Sequence, residues 1–178
     1  MEKLTPVGPE VASWVQLDPT GPVGVPTRVA HIVPRTYERF ARIGGSHRVD
    51  WGGALEVLLG HTTSSTGIVG WWEGRGSDGL RGWPQPKWRP ATHDRNCLLA
   101  EVDLADAASE LMAIPLSRWG ISSDPTLLFP ADRAWFIFEE VDVLCAHVGG
   151  AAAAIESLLA APRPPAVEVS PDDWLDLH

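Results

Sequence analysis

The charged residues between positions 129 and 150 are the first candidates for chemistry in this chain. The segment "FPADRAWFIFEEVDVLCAHVGG" contains two apolar runs, and five of its ionisable residues could form a cluster: Asp132, Arg133, Glu139, Glu140 and His147. Carboxylates and a histidine can bind a metal ion or transfer protons. No HxH, HExxH or DxD pattern is present, so the spacing does not specify either activity. We therefore predict no metal site, no cofactor and no catalytic residue here.

The same stretch has a simpler interpretation as a strand, a tight turn, a second strand and a helix. Side chains alternate along a strand, so both faces of "AWFIFEEV" are apolar until Glu139 and Glu140. This pattern predicts a central strand that is covered on both sides, with the two acids and Asp142 emerging at its solvated end. Gly149 and Gly150 would then allow a sharp turn into the last helix.

A second candidate is the loop at residues 71–89, "WWEGRGSDGLRGWPQPKWR", in which tryptophans alternate with basic residues. Exposed indoles stack on partner groups, and arginine binds carboxylates or phosphates. The alternative is that these tryptophans belong to the core or attach the loop to the domain. From this loop and the acid–base pair before the strand we predict a binding surface formed by Trp72, Glu73, Arg75, Arg81, Trp83, Trp88, Arg89, Asp132 and Arg133.

A third pattern places His61 next to Thr62, Thr63 and two serines, so that a hydroxyl nucleophile could lie beside a histidine base. Hydroxyl residues after a helix more often form a turn. If the protein is an enzyme, we expect a pocket that is lined by His61, Glu73 and Arg133.

Two segments resemble a known group of proteins. "LFPADRAWFIFEEVDVLCAHVGGAAAAIESLLAAP" and "LLGHTTSSTGIVGWWEGRG" are similar to an uncharacterised actinobacterial family with a "PADRxWF…EVD…VGG" C-terminal segment. The resemblance covers roughly a third to a half of the chain and implies no particular activity. His147 stands where that family has an aromatic residue. A more distant likeness, to SUKH-type immunity proteins, implies an immunity or accessory role.

Composition and charge favour a protein partner. The chain has a net charge of −9, which disfavours nucleic acid and anionic membranes. Nine tryptophans stand against four phenylalanines and one tyrosine, and tryptophan favours sites that are half buried and half polar. We expect a small cytoplasmic, non-catalytic binding protein, with a small-molecule ligand as a second possibility. A further alternative is a structural subunit of a larger assembly, which grips its neighbours through its arms.

The elements that would position these residues form one α+β domain. We predict strands over 27–34, 67–72 and 97–104 and in the two apolar runs of the 129–150 stretch, and helical segments over 35–43 and 51–60, after Asp103 and before Pro162. Asp50 and Asp103 are expected to cap helices. The fold class is a mixed or antiparallel sheet of about four to six strands with about three helices. Residues 28–163 form the domain, 1–27 an extended Pro/Gly-rich arm and 164–178 an acidic C-terminal tail.

Overall fold

An antiparallel sheet of eight strands is the centre of the fold. The computed structural model describes residues 4–18, 27–44, 49–74, 83–90, 96–110, 125–140, 143 and 145–175. The strands are β1 (Thr5–Val7), β2 (Arg39–Gly44), β3 (Thr66–Trp72), β4 (Cys97–Asp103), β5 (Leu127–Pro130), β6 (Trp135–Glu139), β7 (Cys145–Gly150) and β8 (Ala166–Val169). Their order across the sheet is β1-β4-β3-β5-β6-β7-β2-β8.

Three α-helices lie in the described part of the chain, and they are α1 (Trp51–Leu58), α2 (Leu104–Glu110) and α3 (Ala152–Ala160). The predicted caps are confirmed. The carboxylate of Asp50 accepts the N–H of Gly53 at 2.9 Å, and that of Asp103 accepts the N–H of Ala105 at 2.9 Å. Each aspartate satisfies a backbone donor that the first turn of a helix leaves open. None of these helices is long and apolar enough to cross a membrane.

The two faces of the sheet are both covered by apolar side chains. On one face, here called the helix face, Trp135 and Ile137 of β6 pack with Trp51 and Leu58 of α1. On the other, here called the arm face, Phe136 and Phe138 pack with residues of the N-terminal segment and with residues 29–33. The prediction that this strand is central and covered on both sides is thus confirmed, as are the following strand and helix.

Two predicted elements in residues 27–44 are wrong. Residues 29–31 form a 3₁₀ turn rather than a strand, because the Nδ1 atom of His31 accepts the backbone N–H groups of Thr27 and Arg28 at 3.1 and 3.3 Å. Residues 39–44 form β2 rather than a helix. The spacing of Phe40 fits either a helix or a strand. The segment is a strand because it hydrogen-bonds to both β7 and β8.

The sheet also has more strands than the four to six predicted. β1 comes from the segment predicted as an arm, and β8 from the segment predicted as a tail. Both pair with the sheet at its two edges, β1 with β4 and β8 with β2. Strands of three or four residues are too short to produce a periodic signal, which explains why the sequence does not reveal them.

The acids at the end of β6 are buried instead of solvated. Glu139 is 8% exposed and Glu140 is 1% exposed, while Asp142 lies outside the described residues. The indole N–H of Trp51 donates to the carboxylate of Glu139 at 2.9 Å, so α1 supplies a polar partner beneath the strand. A buried carboxylate requires such donors because it has lost its contact with water.

Gly149 also has a different role from the predicted turn. It lies within β7, where an added Cβ would come within 2.7 Å of side-chain atoms of Val33 and Tyr37. The glycine therefore permits close packing of two side chains against the sheet.

Candidate functional site

The tryptophans of the 71–89 loop are mostly part of the domain body. Trp71 and Trp88 are buried, and Trp83 packs against the helix-face core. The backbone of Trp88 exchanges two hydrogen bonds with that of Cys97, at 2.9 and 2.7 Å. Trp72 is partly buried and Arg89 is exposed, whereas Arg75 and Arg81 lie outside the described residues. The described part of this loop therefore presents much less indole surface than its composition suggests.

Glu73 follows β3 and is held by two neighbours. Its carboxylate accepts hydrogen bonds from the Lys87 ammonium and the Asn96 side-chain amide. Burial alone would raise the pKa of Glu73, but the bonds from Lys87 and Asn96 outweigh it, and the pKa lies below its usual value. Glu73 is thus an ionised anchor for the loop.

Asp132 fixes the turn between β5 and β6. Its carboxylate accepts the Thr62 hydroxyl at 2.8 Å, the Thr63 N–H at 2.7 Å and the Thr63 hydroxyl at 2.9 Å, and also the N–H of Ala134 at 3.2 Å. Burial would raise the pKa of Asp132, yet these hydrogen bonds outweigh it and hold the pKa below its ordinary range. The hydroxyls after His61 therefore hold a turn in place.

Arg133 has an unusual backbone conformation. Its φ is 60°, which lies in the left-handed region that residues other than glycine, asparagine and aspartate rarely adopt. The Tyr37 hydroxyl donates to its carbonyl oxygen at 3.1 Å, and its guanidinium lies 5.1 Å from the centre of the Trp14 ring. The guanidinium makes no hydrogen bond or ion pair with any residue that the structure describes. Arg133 is thus fixed through its backbone, and its guanidinium donors have no acceptor among the described residues.

A cleft of about 340 Å³ opens beside this arginine, and it is lined by Trp14, Thr36, Tyr37, Glu38, Arg133, Ala134 and Ala151. Trp14 contacts Phe129 and Phe136 edge to face, with ring centres 5.2 and 6.1 Å apart, so its indole is fixed on the arm face. Burial raises the pKa of Tyr37 far above its usual value, so its hydroxyl remains a donor at neutral pH. The volume lies within the range of small-ligand and peptide-residue sites.

Glu38 is the acidic residue in the lining of the cleft, whereas Trp14 and Tyr37 are aromatic. One of its carboxylate oxygens accepts the N–H of Ala152 at 2.8 Å, at the first turn of α3. No side chain of α3 itself caps this helix end, since residue 151 is an alanine. Glu38 therefore serves as the cap and neutralises the helix terminus.

Sequence reasoning identified Arg133 but missed Trp14, Tyr37 and Glu38 as site residues. Trp14 comes from a proline-rich segment without periodicity, and Tyr37 and Glu38 come from a stretch whose apolar spacing predicts a helix. An isolated tryptophan within a proline-rich segment is the one signal that could have identified Trp14 as an anchored indole.

The three residues of the alternative enzyme pocket are not brought together. Asp132 contacts Thr63 before the start of β3, whereas Glu73 follows the end of β3. A strand of seven residues spans about 20 Å, so Glu73 lies at the opposite end of the strands from Arg133. His61 does not line the cleft either. Within the described ranges, no group of three His, Cys, Asp or Glu residues is arranged to hold a metal ion.

No protein-family model, curated protein or solved structure was found to match this chain.

Proposed function

We propose that the protein is a small cytoplasmic, non-catalytic binding protein that recognises a protein partner through the cleft beside Arg133. The observation that carries this proposal is the combination, in one residue, of a left-handed backbone and a guanidinium that stacks on Trp14 without any polar partner among the described residues. An immunity or accessory role is one form of such a function.

The energetic argument concerns the cost of holding Arg133 in this conformation. A non-glycine residue in the left-handed region costs about 1–2 kcal/mol. The cation–π contact with Trp14 stabilises the folded state by only about 0.5–1 kcal/mol at an exposed position. Strain of this kind persists where the surrounding structure imposes it, and it is concentrated at functional sites. Here Asp132 and Tyr37 impose it from both sides of the turn.

The 71–89 loop keeps a lesser role in this proposal. Its exposed Arg89 and partly exposed Trp72 would make secondary contacts with the partner, while Trp71 and Trp88 are buried in the core. The enzyme alternative has less support because its three residues lie apart. The assembly alternative has less support because segments of both arms pair with the protein's own sheet.

Site-specific photocrosslinking tests this function. A photoreactive p-benzoylphenylalanine at Thr36, on the cleft rim, is expected to give a discrete adduct with one protein in cells that naturally make this chain. The matched control carries the same group at Glu56, an exposed residue of α1. The adduct at Thr36 should disappear when Arg133→Gly is added. Identical adducts at both positions, or an adduct that survives Arg133→Gly, would contradict the proposal.

A further inference from the structure

We propose that the group which this cleft receives is the C-terminal residue of the partner chain, with its free carboxylate on Arg133. This inference rests on the proposed function and specifies the chemistry that the site recognises.

The first support is the position of the Arg133 guanidinium over an aromatic ring. It lies over the Trp14 ring, with 5.1 Å between its carbon and the ring centre. A guanidinium held over an aromatic face uses no N–H group for that contact, so its donors can serve a ligand. Those groups match the two oxygens of a carboxylate in a bidentate arrangement. An arginine held in this way can bind a planar anion such as a carboxylate through two N–H groups.

The second support is Glu38, which selects among anions. One carboxylate oxygen is used by the N–H of Ala152, and the structure shows no hydrogen bond from any described residue to the other oxygen. A sulfate offers only acceptors, and both sulfate and hydrogen phosphate carry up to two negative charges, so this carboxylate repels them more strongly than a singly charged carboxylate. A C-terminal residue offers a carboxylate to Arg133 and, one bond from its Cα, an amide N–H that can donate to Glu38. The pair thus suits a ligand with both groups.

The third support is the size and lining of the cleft. Its remaining walls include the rings of Trp14 and Tyr37 and two alanine side chains, which suit an apolar side chain. About 340 Å³ is near the lower end of the range for ligand sites, so the cleft has room for one residue and not for a long segment. The net charge of −9 also disfavours an acidic partner segment, whereas one terminal carboxylate adds a single charge.

Four small probes test the inference directly by NMR, with the indole N–H of Trp14 and the amides of Arg133 and Ala134 as reporters. The probes are the peptide Gly-Ser-Gly-Leu with a free carboxylate, the same peptide amidated, an amidated Gly-Ser-Glu-Gly, and inorganic phosphate. The free acid is expected to bind with a Kd of about 1 mM or lower. Amidation should weaken binding about 10-fold or more, because it removes a charge-assisted hydrogen-bonded pair.

Two variants refine the test. Arg133→Gly should abolish the preference for the free acid over the amide, without the backbone strain that Arg133→Ala would retain. Glu38→Gln should reduce the discrimination against phosphate. Equal binding of acid and amide, equal binding of the internal glutamate peptide, stronger binding of phosphate, or no binding of any probe would each overturn the inference.

The failure of this inference differs from the failure of the proposed function. If the partner crosslinked at Thr36 binds equally well after deletion of its last residue, the terminal carboxylate is wrong and the binding function stands. If Thr36 gives no adduct although the free-acid peptide binds, the cleft recognises a carboxylate but not a protein partner.

Discussion

Replacing Arg133 by glycine and by alanine separates the backbone cost at this position from the contribution of its side chain. Both substitutions remove the stacking on Trp14, which contributes about 0.5–1 kcal/mol at an exposed site. Only glycine also removes the strain of a φ of 60°, which is about 1–2 kcal/mol. Glycine loses about 0.4–1 kcal/mol because its unfolded chain is more flexible. We therefore expect Arg133→Gly to be about 1 kcal/mol more stable than Arg133→Ala.

Urea unfolding followed by tryptophan fluorescence, together with thermal unfolding by circular dichroism, measures this difference. For a chain of this size about 1 kcal/mol corresponds to a shift in Tm of about 2–4 °C. The matched control is the same pair of substitutions at exposed Thr36, whose φ is not positive. There, alanine should be the more stable of the two. If Arg133→Ala equals or exceeds Arg133→Gly in stability, the strain argument is refuted.

Three further predictions concern the core and the turn. Trp51→Phe removes the donor to buried Glu139 and should lower the free energy of unfolding by about 1–3 kcal/mol in urea titrations; Trp51→Phe combined with Glu139→Gln should recover part of that loss. Gly149→Ala places a methyl group against two side chains and should cost about 1–3 kcal/mol, seen as a lower Tm. The folded-state pKa of Asp132 is lowered, so the unfolded chain takes up the proton first as pH falls. Stability should therefore decrease below the usual carboxyl pKa, and Asp132→Asn should flatten this part of the stability–pH curve. A wild-type curve that is flat through this range would contradict the assignment.

The elements that were predictable from the sequence are those with a local physical signal. Asp50 and Asp103 predict the starts of α1 and α2, because the first turn of a helix needs a side-chain acceptor for its open N–H groups. β3, β4, β6 and β7 are apolar runs long enough to exclude most other assignments.

The cleft was only half predictable, because its walls are distant in the sequence. Pairing of β2 with β7 places Arg39 opposite Gly150, and pairing of β6 with β7 places Trp135 opposite the same residue. This register brings Glu38, Ala134 and Ala151 together at one end of three neighbouring strands. No local pattern contains that register, so sequence reasoning found the arginine and not the residues around it.

The position of β2 has a consequence for the order in which the protein can assemble during synthesis. β2 is made early, but its neighbours β7 and β8 are made about a hundred residues later. At ribosomal rates of about 5–20 residues per second, its backbone groups wait on the order of 5–20 s for partners. During that interval the apolar Phe40 and Ile43 have no sheet to enter. Exposed apolar side chains and unpaired strand edges of this kind make a nascent chain prone to aggregate until its later strands emerge.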